Sequence, residues 1–239
     1  MTGTRIEIAT ADGSAPAFVF GESSAPSVLL FIDGIGMRPA MHELADHLAA
    51  AGYHVLMPDL FWRMGAYTAP EPKSLQDAAV RGAWFGKVMA TTNAATLTKD
   101  THAYLEYFGS KKVGVTGYCM GGRMAIVAAE TYPDRIAAAA AYHPGGLVTD
   151  GPDSPHLAVA KIKASVYVGG AMEDASFTDE QRAKFAAALA EASVDHVVEL
   201  YPAKHGWVPS DTPVHDPVAA ARHWDTLLAL LKKTLKQTP

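Results

Sequence analysis

Short, almost wholly apolar runs recur along this chain, and stretches with helical spacing lie between them. That alternation constrains the fold more than any other feature of the sequence. "SVLLFID" and "YHVLMPD" lack the in–out alternation of a half-exposed strand and read as strands buried on both faces. "KKVGVTG", "IAAAAAYHP", "ASVYVGG" and "DHVVELYP" extend the series. Helical patterns fill the gaps: Pro39 to Ala51, closed by Gly52, then roughly Leu75 to Ala90 and Leu97 to Phe108. Further patterns follow at Met120 to Tyr132, Thr178 to Ala192 and Pro217 to Leu235, and Thr178 with Gln181 forms a capping-box signature. "RIEIATA" and "PAFVFG" read instead as an antiparallel hairpin ahead of the series, and Phe61 to Lys73 as a Pro/Gly-marked surface excursion. Strand–helix alternation of this kind predicts an α/β fold, a mostly parallel central sheet with helices on both faces. Ligands then bind at the carboxyl ends of the strands. With no repeat, low-complexity tract or linker, residues 1–239 are expected to form one domain.

At the junction of "KKVGVTG" with the next helix lies "VTGYCMGGRMA", which holds the one cysteine of the chain, Cys119. A single cysteine makes no internal disulfide, so nothing points to an oxidising compartment. Two readings of it stand: an inert buried thiol, or a nucleophile on a sharp turn. Gly117-Tyr118-Cys119-Met120-Gly121 fits G-x-nucleophile-x-G between strand and helix, which favours the second. Glycines two residues either side relieve backbone clashes on such a turn. The N–H of Met120 is then free to hold an oxyanion, and the helix N-terminus favours a thiolate.

A nucleophile needs a base and a group to orient the base. In this fold class the chain order is nucleophile, acid, histidine. "ASVYVGGAMEDASF" offers Glu173 and Asp174 just beyond one strand, and "VELYPAKHGWV" places His205 just beyond the next. Parallel strands bring both loops to the sheet edge that carries Cys119, so Cys119, His205 and an acid from the Glu173-Asp174 pair are expected to meet there.

"GYCMGG", the Asp174 loop, "YPAKHGW" and "ELADHLAAAGYHVLMPDLFWR" resemble the dienelactone hydrolase family of α/β-hydrolases. The likeness runs from "SVLLFID" to the last helix. It implies a Cys–His–Asp triad on Cys119, His205 and Asp174, with neither metal nor organic cofactor. It also implies an acidic residue that contacts the resting thiol, for which Asp33 of "FIDGIGM" is the match; a turn-forming aspartate before Gly34 is the alternative. The N–H of Gly34 matches the second oxyanion donor. Of the family's two substrate-binding arginines, one matches Arg81, which a solvated helix face explains equally well. The other position, four residues after the histidine, holds Pro209. His143 in "YHPGGL" and Trp207 beside the base are further candidates for the pocket, against readings as a loop histidine and a packing aromatic.

Three signals fail. Gly34-Ile-Gly36 meets Pro39 where a dinucleotide loop needs glycine, and "GYCMGGR" lacks the Lys-Ser/Thr ending of a P-loop. In "HELADH", Asp46 stands at the second histidine position of H-E-x-x-H. A net charge of -5 disfavours nucleic acid or an anionic membrane surface as partner. "MTGTRIEIATADGS" lacks the features of a signal peptide, and no apolar run is long enough to span a bilayer, so a cytoplasmic location is expected. The expected protein is a cysteine hydrolase that opens a lactone or cleaves a small activated ester through a thioester, acting on a small molecule as a monomer or small homo-oligomer. A broad carboxylesterase or thioesterase is one alternative, and a non-catalytic or redox-sensing protein of the same fold is another.

Overall fold

A computed structural model describes residues 3–235. β1 (Thr4–Thr10) and β2 (Gly13–Phe20) form the expected hairpin, with Thr10 opposite Gly13. β2 then pairs antiparallel with β4 (His54–Pro58), which lies parallel to β3 (Ser27–Phe31). β5 (Val113–Tyr118), β6 (Ile136–Tyr142), β7 (Ser165–Ala171) and β8 (His196–Tyr201) continue the sheet in parallel. The order is β1-β2-β4-β3-β5-β6-β7-β8, so β2 alone runs against its neighbours. Every residue of β3, β4 and β5 is buried, as continuous apolar runs require of strands covered on both faces. This is the α/β-hydrolase fold.

The helices follow their amphipathic patterns. α1 (Pro39–Ala50) buries Met41, Leu44, Ala45 and Leu48, and the chain leaves it through Gly52 at φ 92°. α4 (Met120–Thr131) packs on β5 and β6, and α6 (Pro217–Thr234) on β6 and β7. α5 (Asp179–Glu191) begins at the predicted capping box: the Gln181 N–H donates to Thr178 Oγ1, and the Thr178 N–H to Gln181 Oε1.

Two boundaries differ from the sequence expectation. α2 (Ala78–Thr91) starts three residues late, because Leu75 and Gln76 lie in a 3₁₀ turn and Asp77 caps the helix through the N–H groups of Ala79 and Val80. α3 (Ala94–Tyr107) starts three residues early, at a capping box between Asn93 and Thr96. The stretch from Phe61 to Lys73 is less peripheral than expected. Tyr67 donates its hydroxyl hydrogen to Asp59 Oδ1 at 2.7 Å, and Arg63 and Trp62 both donate to the Asp100 carboxylate. These bonds fix the excursion beside the carboxyl ends of the strands.

Candidate active site

Cys119 lies between the last residue of β5 and the first of α4, at φ 55° and ψ −116°. A positive φ is costly for any residue with a Cβ, and such strain collects at functional turns. The glycines explain how the turn closes. A Cβ on Gly117 would strike the backbone carbonyl of Gly121, and one on Gly121 would strike the carbonyl oxygens of Phe31 and Ile32. Only at G-x-C-x-G can α4 start this close to β3 and β5. The Cys119 N–H donates to the Tyr142 carbonyl at 3.0 Å and its own carbonyl accepts from the Arg123 N–H, so the backbone of the turn is held on both sides.

The loops after β7 and β8 bring the other two residues to the same edge. They are laced together by the Met172 N–H, which donates to the Ala203 carbonyl at 2.9 Å. His205 Nδ1 lies 2.7 Å from Asp174 Oδ2. The other oxygen of that carboxylate, Oδ1, accepts from the Ser176 N–H at 2.9 Å and from Ser176 Oγ–H at 2.5 Å. With Nδ1 engaged by Asp174, the remaining ring nitrogen is left for Cys119, which lines the same cavity and is close enough to raise the imidazole's pKa. Glu173, the other acidic residue of that loop, is exposed and forms the turn at φ 53°.

Electrostatics follow from this arrangement. Burial by itself would lower the pKa of His205, but the neighbouring Cys119 and Asp174 outweigh it and push the imidazole up to about 10. Burial would likewise raise Asp174, yet bonds from His205 and Ser176 hold its carboxyl below the ordinary value. The site is therefore built to keep a proton on His205 beside sulfur, with Asp174 ionised behind it.

A cavity of about 320 Å³ opens over Cys119 and His205 and is also lined by Asp33, Gly34, Arg81 and His143. Met120 opens α4 directly after Cys119, so its N–H is a terminal helix donor next to the sulfur. Trp84 Nε1–H donates to the Gly34 carbonyl at 2.9 Å and fixes the turn after β3.

Asp33 lies in the cavity wall, but both its oxygens are taken by Arg38, at 2.7 and 2.8 Å, and Oδ1 also accepts the Ile35 N–H. The turn-forming role is thus present, and the carboxylate faces a guanidinium. Arg38 continues to Asp211, Nε to Oδ2 at 2.7 Å, which ties the turn after β3 to the loop after His205. Arg81 stands at the mouth of the cavity, exposed, with its guanidinium donating to the Leu75 carbonyl. His143 is 1% exposed at φ 39°, edge-on to the His205 ring with centroids 5.1 Å apart, and neither ring nitrogen has a hydrogen-bond partner. Of its two readings, Trp207 takes the packing one: it is fully buried, stacked on Tyr201 and edge-on to His143. Its sequence neighbour Gly206, at φ 96°, turns the chain so that His205 faces the cavity while Trp207 faces the core.

Sequence reasoning missed Ser176 and Arg38. An Asp-x-Ser triplet after the strand carried a usable signal for Ser176, because that spacing favours a local side-chain turn. Nothing local marks Arg38, whose partners lie 5 and 173 residues away. Among the described residues, no group of three or more His, Cys, Asp or Glu side chains converges as a metal site.

The sequence profile of the dienelactone hydrolase family matches residues 15–235. A carboxymethylenebutenolidase of Pseudomonas putida is 30% identical over 139 residues, 54% of this chain and 57% of that protein. A provisionally assigned carboxymethylenebutenolidase of Synechocystis sp. is 22% identical over 88% of this chain and 87% of its own. Among solved structures, one from Klebsiella pneumoniae, provisionally described as a dienelactone hydrolase, superimposes with a TM-score of 0.82 at 20% identity. That likeness covers 95% of this chain and 97% of the other.

Proposed function

We propose, from the premise that this chain belongs to the dienelactone hydrolase family and is a hydrolase of ester or lactone bonds, that Cys119 is its nucleophile. The observation that carries this reading is that His205, 2.7 Å from Asp174, lines one cavity with the sulfur on its strained turn. Asp174 holds the imidazole in one orientation and balances its charge, so the ring is ready to exchange a proton with Cys119.

In the first half-reaction the Cys119 sulfur, its proton passed to His205, attacks the carbonyl carbon. The carbonyl π electrons move to oxygen, which is met by the N–H groups of Met120 and Gly34. Collapse of the tetrahedral adduct breaks the bond to the leaving oxygen, and the imidazolium returns its proton to that alkoxide or enolate. In the second half, His205 takes a proton from water, the hydroxide adds to the thioester, and the C–S bond breaks to release the acid. A thiolate is itself a good leaving group, so the scheme suits activated esters and enol lactones better than amides. The substrate is a small molecule, and the site of action is the cytoplasm. None of the described helices is long and apolar enough to cross a membrane.

Hydrolysis of 4-nitrophenyl acetate and of a dienelactone by wild type, Cys119→Ala and His205→Ala tests the reading. Activity must fall by at least about a thousandfold in both variants, since members of such a unit are lost together. Full activity in Cys119→Ala would overturn it. Broad carboxylesterase or thioesterase action is favoured as a second reading by the apolar lining of the cavity, which includes Ile35, Leu75, Phe85 and Val214.

A further inference from the structure

We infer that the pocket beside Cys119 selects an uncharged substrate: it accepts a neutral, apolar acyl or lactone group and discriminates against one that carries its own carboxylate. This rests on the hydrolytic reading above and adds the substrate class. Ile35, Pro72, Leu75, Phe85, Pro213 and Val214 put six apolar side chains in the wall around the reactive pair. A carboxylate placed among them surrenders its hydration, and the neutral donors elsewhere in the lining, Gln76 and Thr212, whose hydroxyl already donates to the Gly206 carbonyl, bring no compensating charge.

The charged groups that face this space add to the discrimination. Arg81 is exposed at the mouth and already donates to the Leu75 carbonyl, so its charge is screened by water where a ligand would have to meet it. The cavity wall also includes Asp33, whose carboxylate is paired with Arg38. Arg38, 7% exposed, is shared with Asp211, so one guanidinium faces two carboxylates and an excess negative charge remains. Thr212, next to Asp211 in sequence, lines the cavity, so that excess sits close behind the wall. At the reacting centre the imidazole of His205 is committed to Asp174 and Cys119. An anionic tail therefore meets apolar side chains and negative potential, with its one available cation at the solvent-exposed rim.

Two matched pairs of compounds test this. The esters are 4-nitrophenyl hexanoate and mono-4-nitrophenyl adipate, equal in acyl length, compared by kcat/KM at pH 7.5 after subtraction of spontaneous hydrolysis. The neutral ester should be preferred by at least about tenfold, mainly through KM, and Asp211→Asn should narrow the ratio by about threefold. Equal rates, or preference for the adipate, would overturn the inference. The uncleaved ketones 2-heptanone and 6-oxoheptanoate, titrated into Cys119→Ala protein by NMR, read the same preference without turnover. Tighter binding of the neutral ketone supports the inference even if no ester is hydrolysed, an outcome that would remove only the hydrolytic reading. Equal binding, tighter binding of the anion, or no binding of either ketone would reject the inference itself.

Discussion

Arg38→Met should destabilise the protein by roughly 3–5 kcal/mol, the usual cost of removing one partner from a buried ion pair. The figure follows from which half of the cluster is sealed. Asp33 has a side chain only 5% exposed and receives both guanidinium NH₂ groups, whereas the Asp211 side chain is 32% exposed and recovers water when the arginine leaves. The loss is thus set by Asp33, left charged in the cavity wall. At the 2–4 °C per kcal/mol typical of a chain this size, Tm should drop by about 6–20 °C, read by circular dichroism in parallel with urea melts. The companion variant Arg38→Met/Asp33→Asn removes the stranded charge while Asn Oδ1 can still accept the Ile35 N–H, so it should regain most of the lost stability. A single-variant loss below about 1 kcal/mol, or a double variant no more stable than the single one, would refute the reasoning.

Four further outcomes are expected. Ser176→Ala removes the 2.5 Å bond to Asp174 Oδ1 but keeps the backbone N–H bond, and should lower kcat/KM about tenfold with little change in KM, measured on an activated aryl ester. His205 has a folded pKa of about 10 against an ordinary 6.5, so the stability its charge contributes is complete below about pH 6.5 and is lost as pH rises through 10. In Cys119→Ala the strongest influence raising that pKa is gone; NMR titration of the ring should show a lower value, and an unchanged one would contradict the Cys119–His205 contact. Gly121→Ala drives a methyl group into the carbonyl oxygens of Phe31 and Ile32, which as backbone cannot turn aside, and should cost at least about 3 kcal/mol by denaturant melt.

The strands were legible because burial on both faces demands uninterrupted apolar residues, and "SVLLF" or "HVLMP" have no other plausible use. The capping box at Thr178 was legible for a similar reason: both partners lie within four residues. The same motif at Asn93 with Thr96 was harder to read, since threonine at the third position is not the usual Glu or Gln. Leu75 pairs well with a helical pattern yet lies before Asp77, whose side chain caps α2 two residues further on. At the site, strand ends and the G-x-C-x-G motif were enough to bring Cys119, His205 and the Glu173-Asp174 pair to one edge, because parallel strands deliver their following loops there; the choice of Asp174 came with the family resemblance. Trp207 could not be placed that way: which side of Gly206 faces the core depends on a positive φ that no pattern encodes. The Arg38 cluster is still less accessible, being a long-range electrostatic solution assembled from a turn, a helix cap and a loop at the far end of the chain.

Since the chain has one cysteine and it occupies the strained turn over the cavity, the thiol is a built-in chemical handle. A maleimide fluorophore, a spin label or a heavy atom added to the native protein can attach at one place only. Stoichiometry of labelling then measures how much of a preparation has Cys119 accessible, and the emission or distance signal of the probe reports on the cavity it lines without a background from other thiols. No engineered cysteine-free background would be needed for such work.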